Sequence, residues 1–176
     1  MEMYDLTAMG ELLIDFTQLS TDGEGYPTLA AHPGGAPGNF LAALCRYGAS
    51  AAFLGKVGDD AFGRIMTETA ASAGVDVSHV SVDRNESSGV GHITLEVSDH
   101  GAQNRITVCP GANFTLSVED VAWLREEIRN YDMVMMQFEL QMEVIETVAQ
   151  WAKDAGVPVM INPAPAAPMS DRLLAC

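Results

Sequence analysis

The residues most able to do chemistry are carboxylates and amides that follow short β-like runs. Gly10 and Glu11 follow the first run, and Asp15 comes after a further short apolar stretch. Gln137 and Glu139 follow a Met-rich run, and Asn162 follows a Val/Ile-rich one. Such groups gathered at one rim suit a polyhydroxylated ligand, because each accepts or bridges hydroxyl hydrogens. Strand ends are also polar simply because they meet water, so no one of these residues decides the matter alone. The stretch Gly34-Gly35-Ala36-Pro37-Gly38-Asn39 is the most unusual in the chain. Glycines let backbone N–H groups approach a ligand closely, and a helix N-terminus follows them. It fits neither a Walker A loop nor GxGxxG, and a glycine-rich turn without a ligand reads equally well. His32, His79, His92 and His100 have no ligand spacing, which assigns no metal. Cys109 has no paired base nearby in sequence, so no nucleophile is assigned to it.

These residues sit in an alternation of strand-like and helical segments. Strands are expected at 4–9, 51–57, 132–138 and 157–161. Gly34-Gly35-Ala36-Pro37-Gly38-Asn39 is expected to open a helix reaching Arg46 with a stop at Gly48, and a second helix is expected from Asp59 or Asp60 to Ser72 with a stop at Gly74. A further helix is expected over 141–155, closed by Gly156. Ser117-Val118-Glu119-Asp120 resembles a capping box, which predicts a helix onward to about Arg129. Met133, Met135 and Met136 read as core filling. Strand–helix–strand units imply parallel pairing with right-handed crossovers, hence a doubly wound α/β layer.

Two segments break this rhythm, 12–32 and 90–109. The second alternates with period two, with Gly91, Ile93, Leu95 and Val97 on one face, turns at Ser98-Asp99-His100-Gly101, and returns over 105–109 as a hairpin. Lacking helices, the two segments are expected to form a separate small sheet. The α/β core then comprises 1–11, 33–89 and 110–176. Ser170 to Cys176 reads as the opening of another helix with no strand after it.

Nine Lys and Arg against 24 Asp and Glu give a net charge of −15 over 176 residues. That field repels phosphate backbones and anionic lipid, so neither nucleic acid nor a membrane is expected as a partner. Three cysteines without CxxC spacing, and a start without a basic and an apolar region, fit a reducing, cytoplasmic setting.

Three motifs in order carry a resemblance. Gly10-Glu11-Leu12-Leu13-Ile14-Asp15-Phe16, Pro33-Gly34-Gly35-Ala36-Pro37-Gly38-Asn39 and Gly55-Lys56-Val57-Gly58-Asp59-Asp60-Ala61-Phe62-Gly63 resemble the N-terminal half of the PfkB sugar kinases, the ribokinase/fructokinase group. Leu41 departs from that pattern, where a small residue is usual. Pro110-Gly111-Ala112-Asn113, Gln137-Phe138-Glu139 and Asn162-Pro163-Ala164-Pro165-Ala166 are similar to ribokinase-type members. The resemblance implies a ribokinase-like fold, with a mostly parallel sheet and a β-sheet lid formed by the two inserts. It implies that Asp15 binds sugar hydroxyls, that Gly34, Gly35 and Asn39 shape the pocket, and that Glu139 reaches it from the other side. Gly91 and Val108 stand where lid residues touch the sugar. It also implies ATP and Mg2+, with K+ as an option, and a homodimer through the lid.

The family's second signature, Asp-Thr-x-Gly-Ala-Gly-Asp, carries the catalytic base and anion hole, and it does not occur in these residues. The expectation is a fold cut short on its C-terminal side, with the base beyond Cys176 and no phosphoryl transfer by this chain alone. The alternatives are a non-catalytic sugar-binding or dimerising fragment, and a nucleoside kinase of the same family.

Overall fold

The computed structural model describes residues 3–98 and 101–176, the side chains at 95–98 and 102 excepted. The expected turn residues Asp99 and His100, and the side chains of Leu95 and Val97, therefore lie outside the described residues.

Five parallel strands form the larger sheet: β1 (Leu6–Met9), β4 (Ala51–Gly58), β5 (Val80–Asp83), β8 (Val134–Gln137) and β9 (Val159–Asn162), in the order β5-β4-β1-β8-β9. Strands buried on both faces read as continuous apolar runs. Accordingly β1 places Leu6 and Ala8 in one apolar cluster and Met9 in another, and β4 divides Ala51 and Phe53 from Ala52 and Leu54 in the same way. Helices α1 (Ala36–Arg46) and α2 (Ala61–Ser72) cover the first cluster with Leu41, Met66 and Ala70. Helix α4 (Met142–Ala155) covers the second with Val144, Ile145, Val148, Ala149 and Ala152, one stripe at helical spacing. Met135 and Met136 are core residues.

Local signals set several boundaries. The Asp60 carboxylate accepts from Gly63 N–H at 2.8 Å and caps α2, while Gly156 ends α4 in the left-handed region at φ 76°. Ser170 caps the short α5 (Asp171–Leu174) by accepting from Leu173 N–H.

The second sheet is mixed: β2 (Leu13–Thr21), β3 (Pro27–Gly34), β6 (Gly89–Ser98) and β7 (Gly101–Cys109), in the order β3-β2-β6-β7. β2 pairs antiparallel with β3 and parallel with β6, and β6 pairs antiparallel with β7.

One expectation fails. The segment after Ser117 is not a continuous helix: tight turns precede the four-residue α3 (Leu124–Glu127), and a 3₁₀ turn follows over Ile128–Asn130. The reciprocal cap does form, with Ser117 N–H donating to Asp120 Oδ2 at 2.8 Å and Asp120 N–H to Ser117 Oγ at 3.3 Å. Lys56 Nζ also donates to that carboxylate at 2.7 Å. The short Asp side chain, held between these donors, closes a turn, and the backbone continues with i→i−3 bonds such as Leu124 N–H to Val121 O.

Candidate functional site

The β1–β2 connection turns the chain out of the core and into the second sheet, and it carries Glu11. Two positions after β2 begins stands Asp15, half-buried. It is a residue of the second sheet, not of a core strand end. In register, His32 of β3, Asp15 of β2, Gly91 of β6 and Val108 of β7 stand side by side across all four strands. Cross-strand partners share a face, so this row presents one carboxylate between a histidine and a glycine.

The glycines make room for that carboxylate. A Cβ at Gly34 would collide with Asp15 Oδ2, and one at Gly91 would lie 2.8 Å from Oδ1. Any other residue at either position would push the carboxylate out of its place. Gly35 meets a different need: its φ of 108° is left-handed, and a Cβ there would stand 2.5 Å from Glu11 O. That conformation starts α1, whose first turn includes Asn39 N–H donating to Gly35 O at 3.0 Å.

On the core side, Glu11 is 7% exposed and Gln137 is 2% exposed, and among the described residues neither Glu11 Oε2 nor Gln137 Nε2 makes a hydrogen bond within 3.5 Å. Burial pushes the Glu11 carboxyl up to about 7; the charge of Glu139 and, less strongly, that of Asp15 add to the effect, and Gln137 opposes it. Burial also raises Glu139, and it raises Asp15 against the opposing pull of His32. Glu11 thus feels the charges of both Glu139 and Asp15, and burial raises all three carboxyls. Such groups hold hydroxyl donors well, because each added hydrogen bond stabilises a charge that water no longer solvates.

Of the residues singled out in the sequence, Asp15, Gly34 and Gly91 touch, Gly35 packs on the backbone of Glu11, and Glu139 couples to Glu11. Val108 sits on the outermost strand and Asn39 is exposed one turn into α1. Asn39 and Gly34 also line a cavity of about 370 Å³ between α1 and α2, bordered by Arg46 and Met66 and by no carboxylate. Asn162 is exposed at the edge strand. Glu11 and Gln137 were visible in the sequence as polar strand ends, yet nothing local distinguished them from Asn162. The contact of His32 with the site follows only from the β2–β3 register.

The pfkB family carbohydrate kinase model matches residues 3–176. The chain belongs to the pfkB family of carbohydrate kinases. Ribokinase from Haemophilus influenzae is 36% identical over 141 residues, covering 80% of this chain and 45% of that protein. A fructokinase from Klebsiella pneumoniae is 35% identical over 114 residues, covering 64% of this chain and 35% of that protein. In structure, Arabidopsis thaliana ribokinase complexed with ribose and ATP superposes with a TM-score of 0.81 at 25% identity, covering 98% of this chain and 57% of that one. The chain therefore has the α/β fold of ribokinases, with a parallel five-stranded sheet and a second mixed sheet. It spans about half the length of the curated relatives it matches. Among the described residues no helix is long and apolar enough to cross a membrane.

Proposed function

We propose that this pfkB-family chain carries the sugar-binding half of an ATP-dependent sugar kinase of the ribokinase/fructokinase type. The supporting observation is the Asp15 carboxylate, kept open on one sheet face by Gly34 and Gly91, with Glu11 close enough to feel its charge and that of Glu139. In this reading the second sheet, with segments 12–32 and 90–109, is a lid over the sugar. Sugar hydroxyls donate to Asp15 and Glu139. Gly34, Gly35 and Asn39 form the pocket floor at the start of α1, and Gly91 and Val108 close its lid side. ATP is the phosphoryl donor. Among the described residues no three His, Cys, Asp or Glu side chains are grouped to hold a metal. Mg2+ in phosphoryl transfer is held by one or two carboxylates together with substrate phosphates, and for this chain both Mg2+ and K+ are implied by the family resemblance alone. The transfer machinery of the family has no counterpart in these residues, so this chain by itself releases no ADP from ATP with sugar present.

The test is calorimetric titration of the chain with ribose, fructose, 2-keto-3-deoxygluconate and adenosine. Saturable binding of one sugar is expected, weakened roughly tenfold to hundredfold in Asp15→Asn, the loss of one charge-assisted hydrogen bond. Binding of adenosine alone would favour the nucleoside kinase instead. Binding of none, or sugar binding indifferent to Asp15→Asn, overturns the proposal.

A further inference from the structure

The chain crosses between the two sheets four times: at Leu12 into β2, out of β3 at Gly34-Gly35, at Ser88-Gly89 into β6, and out of β7 at Pro110. One side chain lies at the meeting point of these crossings. Asn113, in the 3₁₀ turn Gly111–Thr115, is fully buried. Its Oδ1 accepts from Leu12 N–H at 3.1 Å, and its Nδ2 donates to Leu12 O at 2.8 Å and to Pro110 O at 3.0 Å. Two crossings are thus tied by one amide across 101 positions of sequence. The third rests on it sterically: a Cβ at Gly89 would collide with Asn113 Nδ2 and lie 2.8 Å from Pro110 O. The fourth rests on Leu12 itself, whose Cα would be 3.1 Å from a Cβ at Gly35.

Only an asparagine satisfies this arrangement. Aspartate has no N–H to donate to the two carbonyls, and an apolar residue takes away the side-chain partners of Leu12 N–H and Leu12 O while Pro110 O keeps the backbone N–H of residue 113. We propose that Asn113 is a positioning residue for the sugar site, the pin that fixes the second sheet against the core. It touches no substrate. It sets where β2, β6 and β7 carry Asp15, Gly91 and Val108 relative to Glu11 and Glu139. The inference deepens the sugar-site reading and, in its second half, rests on it.

The two halves are tested separately on the whole chain. Hydrogen exchange without sugar compares the wild type with Asn113→Ala and with Gly89→Ala, which disturbs the same amide from the other side while leaving Asn113 in place. Exchange is expected to rise roughly tenfold or more over β2, β3, β6 and β7, and to change less than about twofold in β1, β4, β8 and α4. A uniform rise across both sheets, or no rise, overturns the pin. If Asn113→Ala does not fold, Gly89→Ala alone decides by the same contrast. Titration with ribose and fructose then reads the consequence: roughly tenfold weaker binding in either variant, with the core unchanged. Unchanged sugar affinity with a loosened second sheet overturns the positioning role. A wild type that binds no sugar, with the exchange contrast intact, overturns the sugar-site reading and leaves the pin standing.

Discussion

Glu11→Gln replaces a buried carboxyl with a neutral amide of nearly the same shape, and the structure sets both the size and the pH window of the effect. An ordinary glutamate titrates near 4.5, and in the fold this one titrates near 7, chiefly through burial and secondarily through Glu139. The folded protein therefore holds the proton more tightly than the unfolded chain does. Stability associated with this group is fully present below about pH 4.5 and falls as pH rises through 7. At about 1.4 kcal/mol per pH unit, the interval from 4.5 to about 7 corresponds to a loss of about 3 kcal/mol above pH 7. Glutamine carries no such penalty. Urea unfolding followed by the fluorescence of Trp123 and Trp151 measures the difference between variant and wild type, so that the other acidic groups cancel. The two proteins are expected to agree within about 0.5 kcal/mol at pH 4.5, with the variant more stable by up to about 3 kcal/mol at pH 8. A difference that does not change with pH, or a variant less stable than wild type at pH 8, refutes the reasoning. A residue that costs stability at neutral pH is one expected to serve the site, since selection retains such groups where activity needs them.

Three further outcomes follow from the geometry. Gly34→Ala places a methyl against the Asp15 carboxylate and is expected to weaken sugar binding roughly tenfold while shifting the unfolding midpoint little, which calorimetry and thermal melting measure together. Asp60→Ala removes the cap of α2, and with it bonds to Ser88 N–H and Oγ at 2.8 Å each; a loss of about 1–2 kcal/mol in chemical unfolding is expected. The face of the second sheet that bears Asp15 continues outward through Ile93 and the exposed Ile106, and we propose that a second copy packs there as a homodimer. Light scattering at micromolar concentration should then give a dimer that Ile93→Asp converts to monomer, and a monomeric wild type or a dimeric variant refutes the idea.

The alternation of apolar runs and helical stripes, read with the stops at Gly48, Gly74 and Gly156 and the cap at Asp60, determined the α/β class and most element boundaries. Those signals are local: each depends on a few neighbouring residues and the conformations open to them. The same reading also located Glu11, Asp15, Gln137 and Glu139 among polar residues near strand ends. Tertiary structure decided the rest. The four-residue β5, half-exposed at the sheet edge, carries no pattern long enough to read, and Lys56, distant in sequence, joins the cap at Ser117 by donating to Asp120. The site itself depends on separations no local pattern encodes. Asp15 meets Gly91 only because β2 and β6 pair in parallel, and Leu12 meets Asn113 across 101 positions. The Glu11 carboxyl is perturbed because packing removes its water and brings Glu139 near. Solvation and through-space charge are properties of the assembled fold, so the residue types were legible in the sequence and their chemistry was not.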